Sequence, residues 1–308
     1  MKNRIAVLIP CFNEELTIPI VIQEFKLALP EARIYVYDNA SLDNTSGVAR
    51  EAGAEVYFEP NRGKGNVVKR MFADIEADIF IIVDGDNTYD ASKSREMIDL
   101  LNNERLDMVV ATRRTKNTEG EYRWGHVFGN RMLTNSVSLI FGRGFTDMLS
   151  GYRVMSRRFV KSFPVMSKGF EIETEMTVHS LQVGASFKEV ETKYDSRPEG
   201  SVSKLNTFKD GFKILRMIFV LFKENKPFQF FGLLSLLFFI FSIAFSIPLF
   251  ATYIQTGFVP RLPTAVLSTG LMILSFVCLI SGVILDSLSR SRVEVKRMNY
   301  LTSNNPKV

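Results

Sequence analysis

The chain has 308 residues, 46% of them apolar, and a formal net charge of +5. This length allows one sizeable domain and a smaller second part. The two cysteines, Cys11 and Cys278, fall in different parts of the chain and predict no disulfide, while the basic residues cluster beside two apolar stretches and so argue against nucleic-acid binding.

Strands and helices alternate along the first part of the chain. Apolar runs predict strands at 5–10, 34–37, 55–58, 79–84 and 108–112, and amphipathic stretches predict helices at 16–29, 45–52, 66–75 and 92–102. This alternation is typical of an α/β fold with a mostly parallel central sheet and helices on both faces. Such a fold is nucleotide-binding in type, although a fold alone does not fix a reaction.

The most informative of these strands ends in two carboxylates, Asp84 and Asp86. In open α/β sheets the ligand crevice lies at the carboxyl ends of the strands, so both side chains are expected to face it. Two hard oxygen ligands suit a Mg2+ or Mn2+ ion that bridges a diphosphate. A plain strand-end turn also uses Asp and Gly, and the pair by itself leaves both interpretations open.

Other polar residues follow neighbouring strands. Asn13 and Glu14 come after the first strand, and Asp38 ends the second, where it can accept hydrogen bonds from a nucleoside or cap the turn before Ser41. The hexapeptide 61–66 places two glycines and two cations before a helix, which suits either a phosphate or an ordinary glycine turn. It lacks the Walker pattern.

Six segments in this order resemble a known family. They are Ile9-Pro10-Cys11-Phe12-Asn13-Glu14, Asp38-Asn39-Ala40-Ser41-Leu42-Asp43-Asn44-Thr45, Arg62-Gly63-Lys64-Gly65, Asp84-Gly85-Asp86, Asp147-Met148-Leu149-Ser150-Gly151-Tyr152-Arg153 and Arg197-Pro198-Glu199-Gly200-Ser201-Val202-Ser203-Lys204-Leu205. The set resembles family 2 glycosyltransferases with the GT-A fold, in the dolichol-phosphate mannose synthase branch. With the apolar C-terminal stretches, it resembles bacterial polyisoprenyl-phosphate glycosyltransferases.

The resemblance implies an inverting, metal-dependent transfer of a sugar from a UDP- or GDP-linked donor to a polyprenyl phosphate. It assigns donor binding to Pro10, Asn13, Glu14, Asp38, Lys64, Asp84 and Asp86. It assigns the metal, Mg2+ or Mn2+, to Asp86. Thr88 stands where the mannose synthases carry a metal-holding Gln, and a hydroxyl is a weaker ligand.

The resemblance also implies cations for the lipid phosphate, because Arg and Lys bind phosphate through charge-assisted hydrogen bonds. The matching residues are Arg113, Arg131, Arg197 and Lys204. The catalytic candidates are Asp86, Asp147 and Arg131. Each arginine also fits an ordinary surface position. The acidic run Glu171, Glu173 and Glu175 could supply a carboxylate at the sugar or form a solvated face.

Residues 228–254 and 264–285 contain no charged side chain and are long enough to cross a bilayer as helices. Basic residues precede the first stretch and follow the second, while the connecting loop carries only Arg261. The positive-inside rule then predicts a multi-pass protein of the inner (plasma) membrane with a cytoplasmic catalytic domain. Two lone spans also invite a homo-oligomer, with Gly270 or Gly282 allowing close packing.

These observations predict four parts: a catalytic domain at 1–204, a juxtamembrane amphipathic helix at 205–227, a two-helix transmembrane hairpin at 228–288 and a cytoplasmic tail at 289–308. The juxtamembrane stretch has the pattern of an interfacial helix or of a helix packed on the domain core.

Two other functions fit part of the pattern. A processive polysaccharide or glycolipid synthase would carry Gln-x-x-Arg-Trp, but Gly120 stands where that motif has Gln, and two spans are few for a translocation pore. A non-catalytic membrane scaffold would not need Asp84, Asp86 and the arginines.

Overall fold

The computed structural model describes residues 4–114, 137–138, 144–194, 216 and 219–303. The chain divides into two compact units, one formed by Met1–Gly211 with Val295–Val308 and the other by Phe212–Glu294. We call them the catalytic unit and the hairpin unit. The predicted four-part division stays a prediction, and most of the predicted juxtamembrane helix, 205–215 and 217–218, lies outside the described residues.

The catalytic unit contains a seven-stranded sheet in the order β3-β2-β1-β4-β6-β5-β7. Its strands are β1 (Ile5–Cys11), β2 (Arg33–Asp38), β3 (Glu55–Phe58), β4 (Ile79–Ile82), β5 (Met108–Arg114), β6 (Arg153–Ser156) and β7 (Phe187–Lys193). β6 is antiparallel to β4 and β5, and the other pairings are parallel. The sheet is mostly parallel, as predicted.

Helices connect these strands. They are α1 (Ile18–Ala28), α2 (Thr45–Glu51), α3 (Lys64–Asp74), α4 (Ser94–Asn103), α5 (Arg157–Ser162) and α6 (Ile172–Val183), with a 3-10 turn at Ala91–Lys93. In α1 the buried residues Ile18, Val21, Ile22 and Phe25 recur at helical spacing and form one apolar face. That face packs into the same core as the buried strands β1 and β4.

The antiparallel strand β6 lies between β4 and β5, and its first residue, Arg153, pairs with Ile82 on one side and Val110 on the other. Because β6 runs opposite to its neighbours, its beginning lies at the edge where β4 and β5 end. The loop before Arg153 therefore reaches the edge that carries the predicted site.

The hairpin unit is built from α7 (Pro227–Thr256) and most of α8 (Leu262–Thr302). Both helices are long and apolar enough to cross a membrane, and they contain the predicted spans. Serines form hydrogen bonds between the two helices: Ser275 Oγ donates to the Ser235 carbonyl at 2.9 Å, and Ser242 Oγ donates to the Ser268 carbonyl at 2.8 Å. At Gly282 an added Cβ would lie 3.1 Å from Cβ of Phe231, so this glycine permits close packing within the hairpin.

Candidate active site

The carboxyl ends of β1, β2, β4 and β5 and the beginning of β6 meet at one edge of the sheet. The loop after β4 carries Asp84 and Asp86 there. Asp86 is buried, with only 5% of its surface exposed. Thr17 Oγ1, in the segment after β1, donates a hydrogen bond of 2.7 Å to the Gly85 carbonyl in this loop. This bond holds the loop after β4 beside the segment that follows β1.

Thr88 contacts Asp86 and is itself buried. Its Oγ1 donates a hydrogen bond of 2.6 Å to Asp86 Oδ1. The hydroxyl therefore orients the carboxylate that the sequence predicts as the metal ligand. Thr88 stays a predicted ligand, but its observed contact is with Asp86.

The donor set fits a hard divalent cation that arrives with a diphosphate. Among the residues that the structure describes, no group of three or more His, Cys, Asp or Glu side chains is placed to hold a metal ion. One or two carboxylates, completed by substrate phosphates and water, are the usual protein share of an Mg2+ site. Asp86, the predicted metal ligand, would supply that share.

Asp84 forms part of a three-member charge cluster with Lys64 and Glu173. Lys64 Nζ contacts Asp84 Oδ1 directly and lies 2.5 Å from Glu173 Oε1. Burial alone would lower the pKa of Lys64, but the two carboxylates outweigh it and raise this pKa above its ordinary value. Burial raises the pKa of Glu173, although Lys64 acts in the opposite direction.

The loop after β1 is held against the loop after β2. Asn13 has a positive φ of 55°, and its Oδ1 accepts a bond of 2.8 Å from the Leu42 amide. The Glu14 amide donates to Thr45 Oγ1 at 2.9 Å, and the Glu14 side chain is buried. Pro10, paired with Tyr37 in the sheet, sits just before these residues.

Asp38, at the end of β2, organises the turn that follows it. Its Oδ1 accepts from the Ser41 amide at 2.9 Å, and its Oδ2 accepts from Ser46 Oγ at 2.6 Å. This matches the turn-capping interpretation of Asp38. Its predicted contact with the nucleoside stays a prediction.

The two glycines at the start of α3 meet backbone rather than open space. A Cβ on Gly63 would lie 2.1 Å from the Lys168 carbonyl oxygen, and one on Gly65 would lie 2.2 Å from that of Ser167. Glu175 holds the crossing segment, because its carboxylate accepts bonds of 2.9 and 2.8 Å from the amides of Met166 and Ser167. Close packing therefore accounts for glycine on both sides of Lys64.

At the end of β5, Arg113 forms a bidentate pair with Asp147. Both guanidinium bonds are 2.7 Å long, and the Arg113 amide adds a third at 3.2 Å. The guanidinium also lies 5.5 Å from the centre of the Tyr194 ring. Asp147 thus orients a predicted phosphate-binding cation.

Arg153, which is fully buried, holds the loop that carries Asp147 through hydrogen bonds. Its guanidinium donates to the carbonyls of Met148 at 2.7 Å and Ser150 at 3.1 Å, and to Thr177 Oγ1 at 3.0 Å. Within the same loop, a Cβ on Gly151 would lie 2.2 Å from Asp84 Oδ2. The loop is therefore pressed directly against Asp84.

Most of the predicted donor residues lie at the carboxyl ends of the strands, and the pair of Arg113 and Asp147 lies at the same end of the sheet. The other predicted phosphate-binding residues, Arg131, Arg197 and Lys204, lie outside the described residues. Sequence reasoning gave Glu173 only as one of three alternatives and gave no support role to Arg153. The pair of glycines around Lys64 indicates close backbone approach, but it does not identify Glu173 as the partner of Lys64.

Comparison with known proteins gives a consistent result. The family model described as glycosyl transferase family 2 matches residues 6–163. Glycosyltransferase AglJ of Haloferax volcanii is 34% identical over 231 residues, which is 75% of this chain and 76% of that protein. The polyprenol monophosphomannose synthase of Mycolicibacterium smegmatis is 22% identical over 218 residues, covering 66% of this chain and 82% of that protein.

A solved structure shares the fold. The crystal structure of glucosyl-3-phosphoglycerate synthase from Mycobacterium tuberculosis, in complex with Mn2+ and UDP-glucose, matches with a TM-score of 0.59 at 22% identity. The match covers 72% of this chain and 78% of that chain. The mostly parallel sheet is of GT-A type, which confirms the predicted fold class.

Proposed function

The chain belongs to glycosyl transferase family 2, and on that premise we propose that it transfers a sugar from a nucleotide-sugar to a polyprenyl phosphate at a membrane. The observation that carries this proposal is the presence, on one chain, of a glycosyltransferase domain and two helices apolar enough to cross a bilayer. A lipid-linked acceptor is the substrate class for which a membrane anchor serves the reaction. A relative named polyprenol monophosphomannose synthase supports the same acceptor.

On the donor side, Asp86 would hold Mg2+ or Mn2+, with Thr88 fixing the orientation of its carboxylate. When bound, the cation stabilises the negative charge that develops on the departing nucleoside diphosphate. Asp38, at the end of β2, would bind the nucleoside, and Asp84, just after β4, would lie beside the nucleotide. Asn13 and Glu14 would keep the loop after β1 closed against the loop after β2.

The reaction needs no general base from the protein to activate the acceptor. A phosphate monoester is already ionised at neutral pH, so one of its oxygens attacks C1 of the sugar directly. The new C1–O bond to the acceptor phosphate forms as the C1–O bond to the diphosphate breaks, and the configuration at C1 inverts. Asp147, with both oxygens on Arg113, serves to aim the guanidinium at the acceptor phosphate.

Three further cations, Arg131, Arg197 and Lys204, complete the proposed acceptor site on the strength of the resemblance. Arg131 is the one we place next to the reacting phosphate. A dianionic phosphate bound by several cations is held in line with C1, and this positioning lowers the barrier.

The proposed location is the inner membrane, with the catalytic unit in the cytoplasm, where nucleotide-sugars are made. Cysteine substitution at Thr256, the last residue of α7, and at Ser303, the residue after α8, tests the orientation in intact cells. An impermeant thiol reagent should label position 256 and not position 303. The reverse pattern would remove access to cytosolic donors.

The function itself is tested with purified full-length protein, Mn2+ or Mg2+, and a panel of UDP- and GDP-sugars. Release of nucleoside diphosphate should depend on added undecaprenyl phosphate for one donor of the panel. Release that proceeds equally without the lipid would indicate a different acceptor, such as a growing polysaccharide. No release with any donor and lipid would favour a non-catalytic scaffold.

A further inference from the structure

Lys64 stands in a motif whose glycines and cations suggest a phosphate-binding loop, yet its ammonium is engaged by two carboxylates. We propose that Lys64 is a positioning residue rather than a phosphate ligand: shared between Asp84 and Glu173, it fixes the Asp84 carboxylate that faces the donor. This inference rests on the proposed function, because it assigns a role within the donor site of the transferase.

The burial of the three side chains sets their order. Asp84 is 30% exposed, whereas Lys64 and Glu173 are 9% and 6% exposed. The carboxylate of Asp84 is therefore the most solvent-accessible of the three groups, and the other two lie deeper in the protein. An ammonium that reached out to bind a diphosphate would leave Glu173 buried without its counter-ion, which is costly.

The backbone around Lys64 opposes such a movement. The carbonyls of Ser167 and Lys168 pass over the two glycines that flank Lys64 at distances that exclude a Cβ. The crossing segment is fixed in turn by Glu175, on the same helix as Glu173. The glycines thus allow α6 to bring Glu173 to Lys64.

Asp84 is also fixed from its other side. Its Oδ1 contacts Lys64, while its Oδ2 lies where a Cβ on Gly151 would be. The carboxylate is therefore held between an ammonium and a backbone wall. Removing Lys64 alone would place two carboxylates, Asp84 and Glu173, next to each other without a cation, and their repulsion would displace Asp84 from the donor site.

The test is a comparison of nucleotide affinities by calorimetry on the full-length protein with Mn2+, using UMP, UDP, GMP and GDP. Lys64→Met should weaken the preferred monophosphate and diphosphate by the same factor, about 10-fold, because the loss acts through Asp84. Lys69→Met, the same change at an exposed lysine of α3, should leave both affinities unchanged. A loss that is several times larger for the diphosphate would show that Lys64 binds phosphate and would overturn the inference.

A double variant should recover nucleotide affinity, a result that direct phosphate binding by Lys64 does not predict. Lys64→Met combined with Glu173→Gln removes both buried charges and should restore the monophosphate affinity to within about 3-fold of the wild type. No recovery would overturn the inference.

If Lys64→Met alone does not fold, the double variant carries the test. Its ratio of monophosphate to diphosphate affinity should equal that of the wild type, and a selective loss for the diphosphate would contradict the proposal. Wild-type protein that binds none of the four nucleotides would overturn the proposed function together with this inference. Wild-type binding with an unaffected Lys64→Met variant would overturn the inference alone.

Discussion

The catalytic unit and the hairpin unit place their polar residues in opposite ways. In the catalytic unit, residues such as Val7, Leu8 and Ile81 fill the interior, and several buried charged side chains lie at the carboxyl ends of the strands. In the hairpin unit the serines Ser235, Ser242, Ser268 and Ser275 are buried between the helices, while large apolar residues such as Phe239, Ile240 and Phe241 face outward.

The difference fits the surroundings that we propose for the two units, water for the catalytic unit and lipid for the hairpin unit. Water favours an apolar interior, whereas a helix pair in lipid gains nothing from hiding apolar side chains and associates through close packing and hydrogen bonds. Polar groups in the hairpin therefore stabilise the helix pair, while we propose that those at the carboxyl ends of the strands bind and orient substrates. Substitutions in the two units should separate these two effects.

The largest effect is expected at Asp86. Asp86→Ala removes the hard oxygen ligand at the diphosphate and should lower the transfer rate by about 100-fold or more, with the melting temperature nearly unchanged. Steady-state kinetics with saturating Mn2+ and a thermal melt measure both. Asp99→Ala, at an exposed aspartate of α4, is the matched control and should behave as the wild type. Near-normal turnover of Asp86→Ala would refute the metal role.

A smaller but selective loss is expected for Arg131→Ala and Arg197→Ala. Each removes one charge-assisted contact to the acceptor phosphate, which should cost about 1.5–3 kcal/mol, or roughly 10- to 150-fold in kcat/KM for the lipid. Binding of the nucleotide-sugar should change little. Arg50→Ala, at an exposed arginine of α2, serves as the control. An equal loss of nucleotide affinity would move both arginines to the donor side.

Thr88 should show an intermediate effect on the metal itself. Thr88→Val keeps the side-chain volume but removes the 2.6 Å bond to Asp86, and loss of such an orienting contact should weaken Mn2+ affinity by about 10-fold. Thr88→Ser retains the hydroxyl and should stay close to the wild type. Electron paramagnetic resonance of free Mn2+ measures this affinity without turnover. Unchanged Mn2+ binding by Thr88→Val would show that the bond does not orient the ligand.

The smallest effect is expected in the hairpin, and it should be structural. Combining Ser242→Ala with Ser268→Ala removes two reciprocal Oγ-to-carbonyl bonds and should destabilise the helix pair by about 0.6–1.7 kcal/mol. The transfer rate should stay within about twofold of the wild type. Ser287→Ala, on the outer face of α8, is the control for an unfolding titration in detergent. A large loss of transfer without loss of stability would contradict the division of roles.

The half of the sheet nearest the N-terminus was predictable because its strands are continuous apolar runs separated by amphipathic helices. The strand β6 was not, since it has four residues and begins with Arg153, a charge that the fold buries completely. The helix α6 was also missed, because it buries Glu173, Thr177 and His179 and presents no clear apolar face.

The candidate site divides in the same way. Asp84 and Asp86 were predictable because they closely follow the apolar strand β4, at its carboxyl end. The contact between Lys64 and Glu173 joins residues far apart in the chain, and local pattern contains no information on such a pairing. The pairing of Arg113 with Asp147 depends likewise on β6 bringing its loop to the end of β5.

The central claim is that this chain transfers the sugar of a nucleotide-sugar to a membrane-held phosphate and releases the nucleoside diphosphate. Its most direct test follows a radiolabelled sugar from the preferred donor into the organic phase after incubation of the full-length protein with undecaprenyl phosphate. The account predicts a labelled lipid that forms only with undecaprenyl phosphate and divalent metal present, that carries the sugar with inverted configuration at C1, and that Asp86→Ala does not form. Label that enters lipid equally well without undecaprenyl phosphate, or from the Asp86→Ala variant, would contradict it.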